Sequence, residues 1–258
     1  MLYRCFCFVF IFTCILMCNS AFSSEQIKNK NVEPKADKIL QQMGDYLKSA
    51  TQFTFRAQSS YDKVSATGQK LQYGETVNAS VRRQDGLYAD IKGDLINNRF
   101  WYDGKKITML ETKLNLYAVT DAPSDIDSAL RHAVKHFGIT APLSDLVISD
   151  PYASLIQNVE TGSYVGLHCV NNIKCHHLAF TQPNLDWQIW IEDSRQLVPR
   201  KIVISYKQAE GNPQYVSLLS DWDFSPHLPD SVFNFIAPDK AEEIEFVPME
   251  ERVPDKIN

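Results

Sequence analysis

The chain of 258 residues carries 26 Lys and Arg against 31 Asp and Glu, a formal net charge of −5. This mild acidic excess argues against nucleic-acid binding, which needs a basic footprint. With 44% hydrophobic residues and 22% charged ones, the composition is that of a globular chain rather than a disordered one.

The first 23 residues read as a cleavable export signal. Arg4 supplies a short basic start, residues 5–17 are apolar and uncharged, and Ala21-Phe22-Ser23 places small residues at −3 and −1 for cleavage after Ser23. A spanning helix is the competing reading, but polar Asn19-Ser20 interrupts the run. Lipid attachment at Cys18 is disfavoured by Met17. The expected mature chain is therefore exported, soluble and not an integral membrane protein. Its roughly 235 residues are enough to bury about 70–75% of the unfolded surface in one domain.

Residues 24–33 read as a flexible polar leader. Pro34 then opens a helix whose apolar stripe is Ile39, Leu40, Met43, Leu47 and Ala50. From Gln52 the period changes to two: Phe53, Phe55, Ala57 and Tyr61 share a face. Tyr73, Val77, Ala79 and Val81 line the next strand, and Leu87, Ala89 and Ile91 the one after. Asp103-Gly104 joins strands 99–102 and 105–111 in a hairpin, for which a type I′ turn is expected. Residues 114–120 form another short strand.

The pattern then breaks. Ser124 can cap a helix carrying Ile126, Ala129, Leu130, Ala133, Val134 and Phe137, and Gly138 ends it. Residues 142–147 read as a further helical turn, and Asp150-Pro151 starts a third short helix. Strands resume at 160–169 and run to 224. Within them, runs 177–181, 187–192 and 201–207 form an antiparallel meander, placed here at the centre of the sheet. Residues 34–240 form a single domain in this reading, and 241–258 an exposed tail.

Few residues point to chemistry. Cys169 and Cys175, left once the signal is removed, flank 170–174. A hairpin with an odd-numbered loop would set them opposite each other as a disulfide. His168, His176 and His177 offer soft-metal ligands beside them, but neighbours on a strand point to opposite faces, so no metal is assigned. Asp186 and Glu192 lie about 20 Å apart along one strand, too far for paired acid–base work. No G-x-S-x-G, P-loop, H-E-x-x-H or G-x-G-x-x-G sequence occurs. No catalytic residue and no cofactor is assigned. Trp187, Ile189 and Ile191 share one strand face and Trp190 takes the other, so this strand is expected to be covered on both sides. Phe53, Phe55, Trp101, Met109, Trp187 and Ile189 are the candidate lining of an apolar cavity, with ordinary core the competing reading.

Several runs are familiar as a set. They are residues 186–193, with Val198-Pro199-Arg200-Lys201 and Tyr206-Lys207; Phe100-Trp101-Tyr102-Asp103-Gly104-Lys105; Ser149-Asp150-Pro151-Tyr152-Ala153; Cys175-His176-His177-Leu178-Ala179-Phe180; and Pro229-Asp230-Ser231-Val232-Phe233. The chain resembles over its mature length the predicted periplasmic proteins called domain of unknown function 2092. That resemblance implies the periplasm and no particular activity. More distantly, the order helix, strands, helical insert, strands is similar to the LolA/LolB-like superfamily of lipoprotein carriers and sensors. This implies an α+β fold: a strongly curved antiparallel sheet, or half-open barrel, with the N-terminal helix and the insert on its concave side. For the arginine that fastens the lid in those carriers, Arg56 is the candidate.

The expected function is that of a non-enzymatic periplasmic protein of a Gram-negative cell, holding an acyl chain or lipoprotein anchor in the concavity. The alternative is a structural or sensor module that recognises an exported protein, and an enzyme ranks below both.

Overall fold

The structure, a computed structural model, describes residues 31–139 and 141–246. Residues 1–23, read above as an export signal with its cleavage site, lie outside the described residues. So do most of the leader and the end of the tail. The leader's last residues are not free. β1 (Asn31–Val32) pairs in parallel with Thr161 and Gly162, and the Glu33 carboxylate accepts the Tyr164 N–H at 3.1 Å.

Helix α1 (Pro34–Ser49) starts on a proline, whose missing N–H costs nothing in the first turn, and buries Ile39, Leu40, Met43 and Leu47. A meander follows: β2 (Gln52–Val64), β3 (Lys70–Arg82), β4 (Gly86–Gly93), β5 (Asn97–Tyr102), β6 (Lys106–Glu111) and β7 (Leu116–Asp121). The insert comprises α2 (Ile126–Phe137), a 3₁₀ turn (Ser144–Leu146) and α3 (Pro151–Ile156). A second meander then runs through β8 (Thr161–Val170), β9 (Ile173–Thr181), β10 (Leu185–Glu192), β11 (Pro199–Tyr206) and β12 (Gln214–Asp223). β13 (Glu242–Glu243) closes the order.

Among the described residues thirteen strands form one sheet in the order β1-β8-β9-β10-β11-β12-β2-β3-β4-β5-β6-β7-β13, and its two ends are not bonded to each other. The meander of 175–207 is therefore off-centre; the middle strand is β2, which joins the two halves through β12. The tail is not a free extension at its start. β13 pairs with β7, and the Phe246 ring lies 4.6 Å from that of Phe137.

The register sorts one sheet face into cross-strand rows. Phe53, Val81, Leu87, Tyr102 and Ile107 form the first, and Phe55, Ala79, Ala89, Phe100, Met109 and Ala118 the second. Ala57, Val77, Ile91 and Asn98 form the third. Ser217, Ser59, Glu75 and Gly93 form the fourth. The first row, the second up to Met109, and Ala57 and Val77 of the third join or pack on one core cluster with Leu40, Met43, Ile126, Ala133, Leu178 and Ile189, so both meanders and both longer helices share one interior.

Turn chemistry accounts for three departures from the sequence expectations. Asn171 and Asn172 both have positive φ, 48° and 66°, and make a two-residue loop in which Val170 faces Ile173. With that even loop Cys169 pairs with Lys174 and Cys175 with His168, so the two cysteines point to opposite faces. They are free: Cys169 is exposed and Cys175 buried, not a disulfide. At the other hairpin only Gly104 has positive φ, 84°, so the turn is not type I′. The Asp103 side chain accepts the N–H groups of Lys105 and Lys106, at 2.9 and 2.7 Å, moving the two-residue loop on by one. The cap of α2 is Asp125, whose carboxylate accepts the Ser128 N–H at 2.8 Å, rather than Ser124.

Helices α1 and α3 touch without a gap. A Cβ on Gly44 would lie 2.5 Å from the Tyr152 Cβ and 2.9 Å from its backbone nitrogen. The Tyr152 hydroxyl donates to Asp37 at 2.7 Å across the same contact. Gly44→Ala gains about 1 kcal/mol of helix propensity but forces the helices apart, an overpacking cost of about 1–3 kcal/mol. Urea unfolding of this variant is expected to show a lower midpoint than the parent; an unchanged or raised midpoint would mean that the contact yields.

Candidate binding cavity

The second row carries alanines on β3 and β4 where the first carries Val81 and Leu87. Ala79 and Ala89 sit between Phe55 and Phe100, and α2 contributes Leu130 and Ala133 from above. Neither layer fills the space between them. The result is a cavity of about 150 Å³ lined by these residues, by Val77, Ile91 and Met109, and by Leu143 and Val147 after α2. Its lining includes two exposed residues, Ile96 and Val134, where it meets solvent.

One end is polar. Glu75 and Asn98 line the cavity from the fourth and third rows, and Tyr215 reaches it from β12. The Tyr215 hydroxyl lies 2.8 Å from Ser59 Oγ, which donates to Ser217 Oγ at 3.0 Å, so this buried cluster is satisfied internally. Burial pushes the Tyr215 phenol up to about 12 and raises the Glu75 carboxyl above its ordinary value.

A second cavity, of about 200 Å³, lies under the other meander, with Trp187, Ile189, Ile202 and Ile204 on its sheet side and Leu146, Ser154 and Leu155 from the insert. Pro142 lines both cavities, so the segment before the 3₁₀ turn stands between them.

What holds the insert in place is Arg83, just past the end of β3. Its Nε donates to the carbonyls of Leu47 and Ala50 at 3.1 and 3.0 Å, and Nη2 to Leu47 at 2.7 Å. Nη1 donates to the carbonyls of Val147, at 3.1 Å, and Ile148. The guanidinium also lies 5.2 Å from the Phe53 ring. These carbonyls end α1 and the 3₁₀ turn, the groups that helices leave without partners. Burial lowers the Arg83 pKa to about 10, while Asp127 and Asp150 oppose the shift, so it remains charged at neutral pH. Arg56, the candidate from sequence, is exposed on the other face of β2. An arginine that binds backbone carbonyls leaves no residue pattern to find.

The six candidate lining residues are not brought together. Phe55 and Met109 line the first cavity, Trp187 and Ile189 the second. Phe53 is fully buried core, its ring 5.9 Å from those of Trp222 and Phe224. Trp101 is one residue out of phase with Phe100 and faces away, packing on Tyr88 and Phe235 at 5.4 and 5.0 Å. The residues missed were Ala79 and Ala89, which the sequence places on strand faces without marking a cavity.

On that outer face Trp190 is half-buried and, among the described residues, meets neighbouring strand side chains. Its ring is stacked on His177 at 3.9 Å, with Lys201 Nζ 4.6 Å from its centre. His177 Nε2 donates to Gln188 Oε1 at 2.9 Å, leaving its Nδ1 to accept from His168 Nδ1 at 3.0 Å. His176 points elsewhere, to Tyr164 and Asp193. Glu192 binds Arg200 and Asp186 binds Lys207, so both carboxylates are in ion pairs.

Residues 36–247 match the family described as predicted periplasmic protein, DUF2092. The chain belongs to this family. No curated protein matches it. Similar solved structures include an uncharacterized conserved protein from Thermus thermophilus, at 8% identity and TM-score 0.48, covering 82% of this chain and 99% of that one. The Mycobacterium tuberculosis lipoprotein LppX aligns at 13% identity and TM-score 0.45, over 76% and 100%. The LolA superfamily protein NE2245 from Nitrosomonas europaea aligns at 10% and 0.38, over 78% and 97%. Among the described residues no helix is long and apolar enough to cross a membrane.

Two expectations follow for this family member. Arg83→Ala strands carbonyls of α1 and of the insert, and hydrogen bonds to a charged group contribute about 1.5–3 kcal/mol. Hydrogen exchange should lose protection first in residues 141–150; equal loss across the sheet would assign Arg83 a general rather than a local role. His177 is held below the usual histidine range by burial first, with His168 and Lys201 adding to the effect and Gln188 opposing it. Its folded pKa is depressed, so as pH falls below about 6.5 the unfolded chain takes up the proton first and stability drops. Urea midpoints measured from pH 7 to pH 5 should fall, and less steeply in His177→Gln.

Proposed function

We propose that the chain is an exported, non-enzymatic binding protein, an open half-barrel that holds an apolar chain such as an acyl group or lipoprotein anchor under its helical insert. The observation that carries this reading is the cavity over the alanine row. An apolar space of this size accepts a ring the size of benzene, and each buried CH₂ contributes about 0.8 kcal/mol. Five or six methylenes then supply about 4–5 kcal/mol, only millimolar affinity. A long chain therefore has to continue past the insert, into the second cavity or out between Ile96 and Val134. The family description as periplasmic agrees with the export signal read from residues 1–23.

A sensor of an exported protein is the second reading. The feature in its favour is the outer edge of β8, which β1 pairs only at Thr161 and Gly162, and beside which Val165 and Leu167 are exposed.

Native mass spectrometry of the purified protein should show a co-purified lipid, and a fluorescent apolar probe should bind. Ala89→Phe, which projects a ring into the cavity, should weaken the probe roughly ten-fold or more with the fold retained by circular dichroism. A clean apo mass, together with no gain of probe fluorescence, would refute this function.

A further inference from the structure

The polar end of the first cavity has an unmet need. Asn98 Oδ1 is buried and has no hydrogen-bond partner among the described residues. Its amide nitrogen makes only a weak contact to the Met109 sulfur at 3.8 Å, which sets the orientation, since sulfur accepts a hydrogen but offers an oxygen nothing. Asn98 stands across β4 from Val77, and Glu75 lies two residues further along β3 on the same face. Asn98 and Glu75 therefore stand at the polar end of the cavity, but Oδ1 itself has almost no accessible surface, so a ligand reaches it only as the amide turns. The nearby hydroxyls do not relieve them, because Ser59, Tyr215 and Ser217 are bonded to one another. Glu75 and Ser59 also line an open basin with Lys92, Asp94 and Asn97, so the polar end communicates with solvent.

Resting on the binding function above, we infer that the ligand is an amphiphile whose chain lies over Ala79 and Ala89 and whose uncharged donor, a hydroxyl or amide N–H, meets Asn98 Oδ1 beside Glu75. A buried acceptor left unpaired costs about 1–3 kcal/mol, and a ligand donor recovers it. A free carboxylate head cannot do so. It brings acceptors only, and its charge is set against Glu75, whose own ionisation burial already disfavours. A plain alkyl chain leaves Asn98 as it is.

The test is displacement of N-phenyl-1-naphthylamine from the full mature chain at pH 8 by 1-decanol, decanoate and decane. Decanol is expected to bind about ten-fold tighter than either. Asn98→Leu should remove its advantage over decane, and Glu75→Gln should improve decanoate while leaving decanol nearly unchanged. Equal displacement by all three, or decanoate as the tightest, overturns the donor inference while leaving the cavity as a binding site. No displacement by any, with no probe bound to the parent, defeats the underlying function instead. Should Asn98→Leu melt early by circular dichroism, the Glu75→Gln comparison still decides.

Discussion

A guanidinium buried among backbone carbonyls is the joint on which this molecule depends. Taking a cation out of water is costly unless its donors are satisfied, and Arg83 meets that condition with groups that are themselves short of partners. The carbonyls at the end of α1 and of the 3₁₀ turn carry the negative end of their helix dipoles. One side chain therefore closes off α1, ties down the insert and lies against the Phe53 ring of the sheet. Asp150 extends the joint: it caps α3 through the Ala153 N–H and binds Lys48 of α1 at 2.6 Å. The Lys48 pair is exposed and contributes little beyond orientation. The polar fastening at Arg83 has a structural consequence, since the insert can be held over the sheet without dense apolar packing along its whole length.

The sheet beneath uses that freedom. Its four rows pass from large apolar side chains, through alanines and aliphatics, to serine and glutamate. Each row is one step of two residues along β2 and β3, so the gradient is written into alternate positions of adjoining strands. The wide first row belongs to the same core cluster as both longer helices, and the alanine row leaves room under α2. The last row turns polar near the rim. Polarity thus rises along the direction in which the rows succeed one another, with the room at the alanines in between, an order that suits an amphiphile.

Much of this order was legible in the sequence because hydrophobic period distinguishes helix from strand directly. The stripe of α1, the alternation of β2 to β4, the insert and the meander all appeared at close to their observed positions. Alternation states which residues share a face but not which face is inside, and so Trp101 was grouped with Met109 when it points away. The cysteines failed for a related reason. Their facing depends on whether the loop has an even or odd number of residues, and that is decided by two asparagines accepting positive φ. Arg83 and the alanines were harder still. An arginine on carbonyls has no partner residue to recognise, and an alanine signals a cavity only once its cross-strand neighbours are known.

The empty space itself bears on the interpretation. The space meets solvent at Ile96 and Val134, so leaving it open keeps apolar side chains in contact with water rather than enclosing a void. Larger aliphatic residues at positions 79 and 89 could fill the space without disturbing the register, since β-branched side chains suit strands better than alanine does. The fold carries the space, and one of the residues that line it, Asn98, has an unpaired amide oxygen. A single ligand that fills the one and donates to the other offsets both, and its binding would raise the stability of the folded chain in proportion to its concentration. A core serving structure alone offers no such compensation for either.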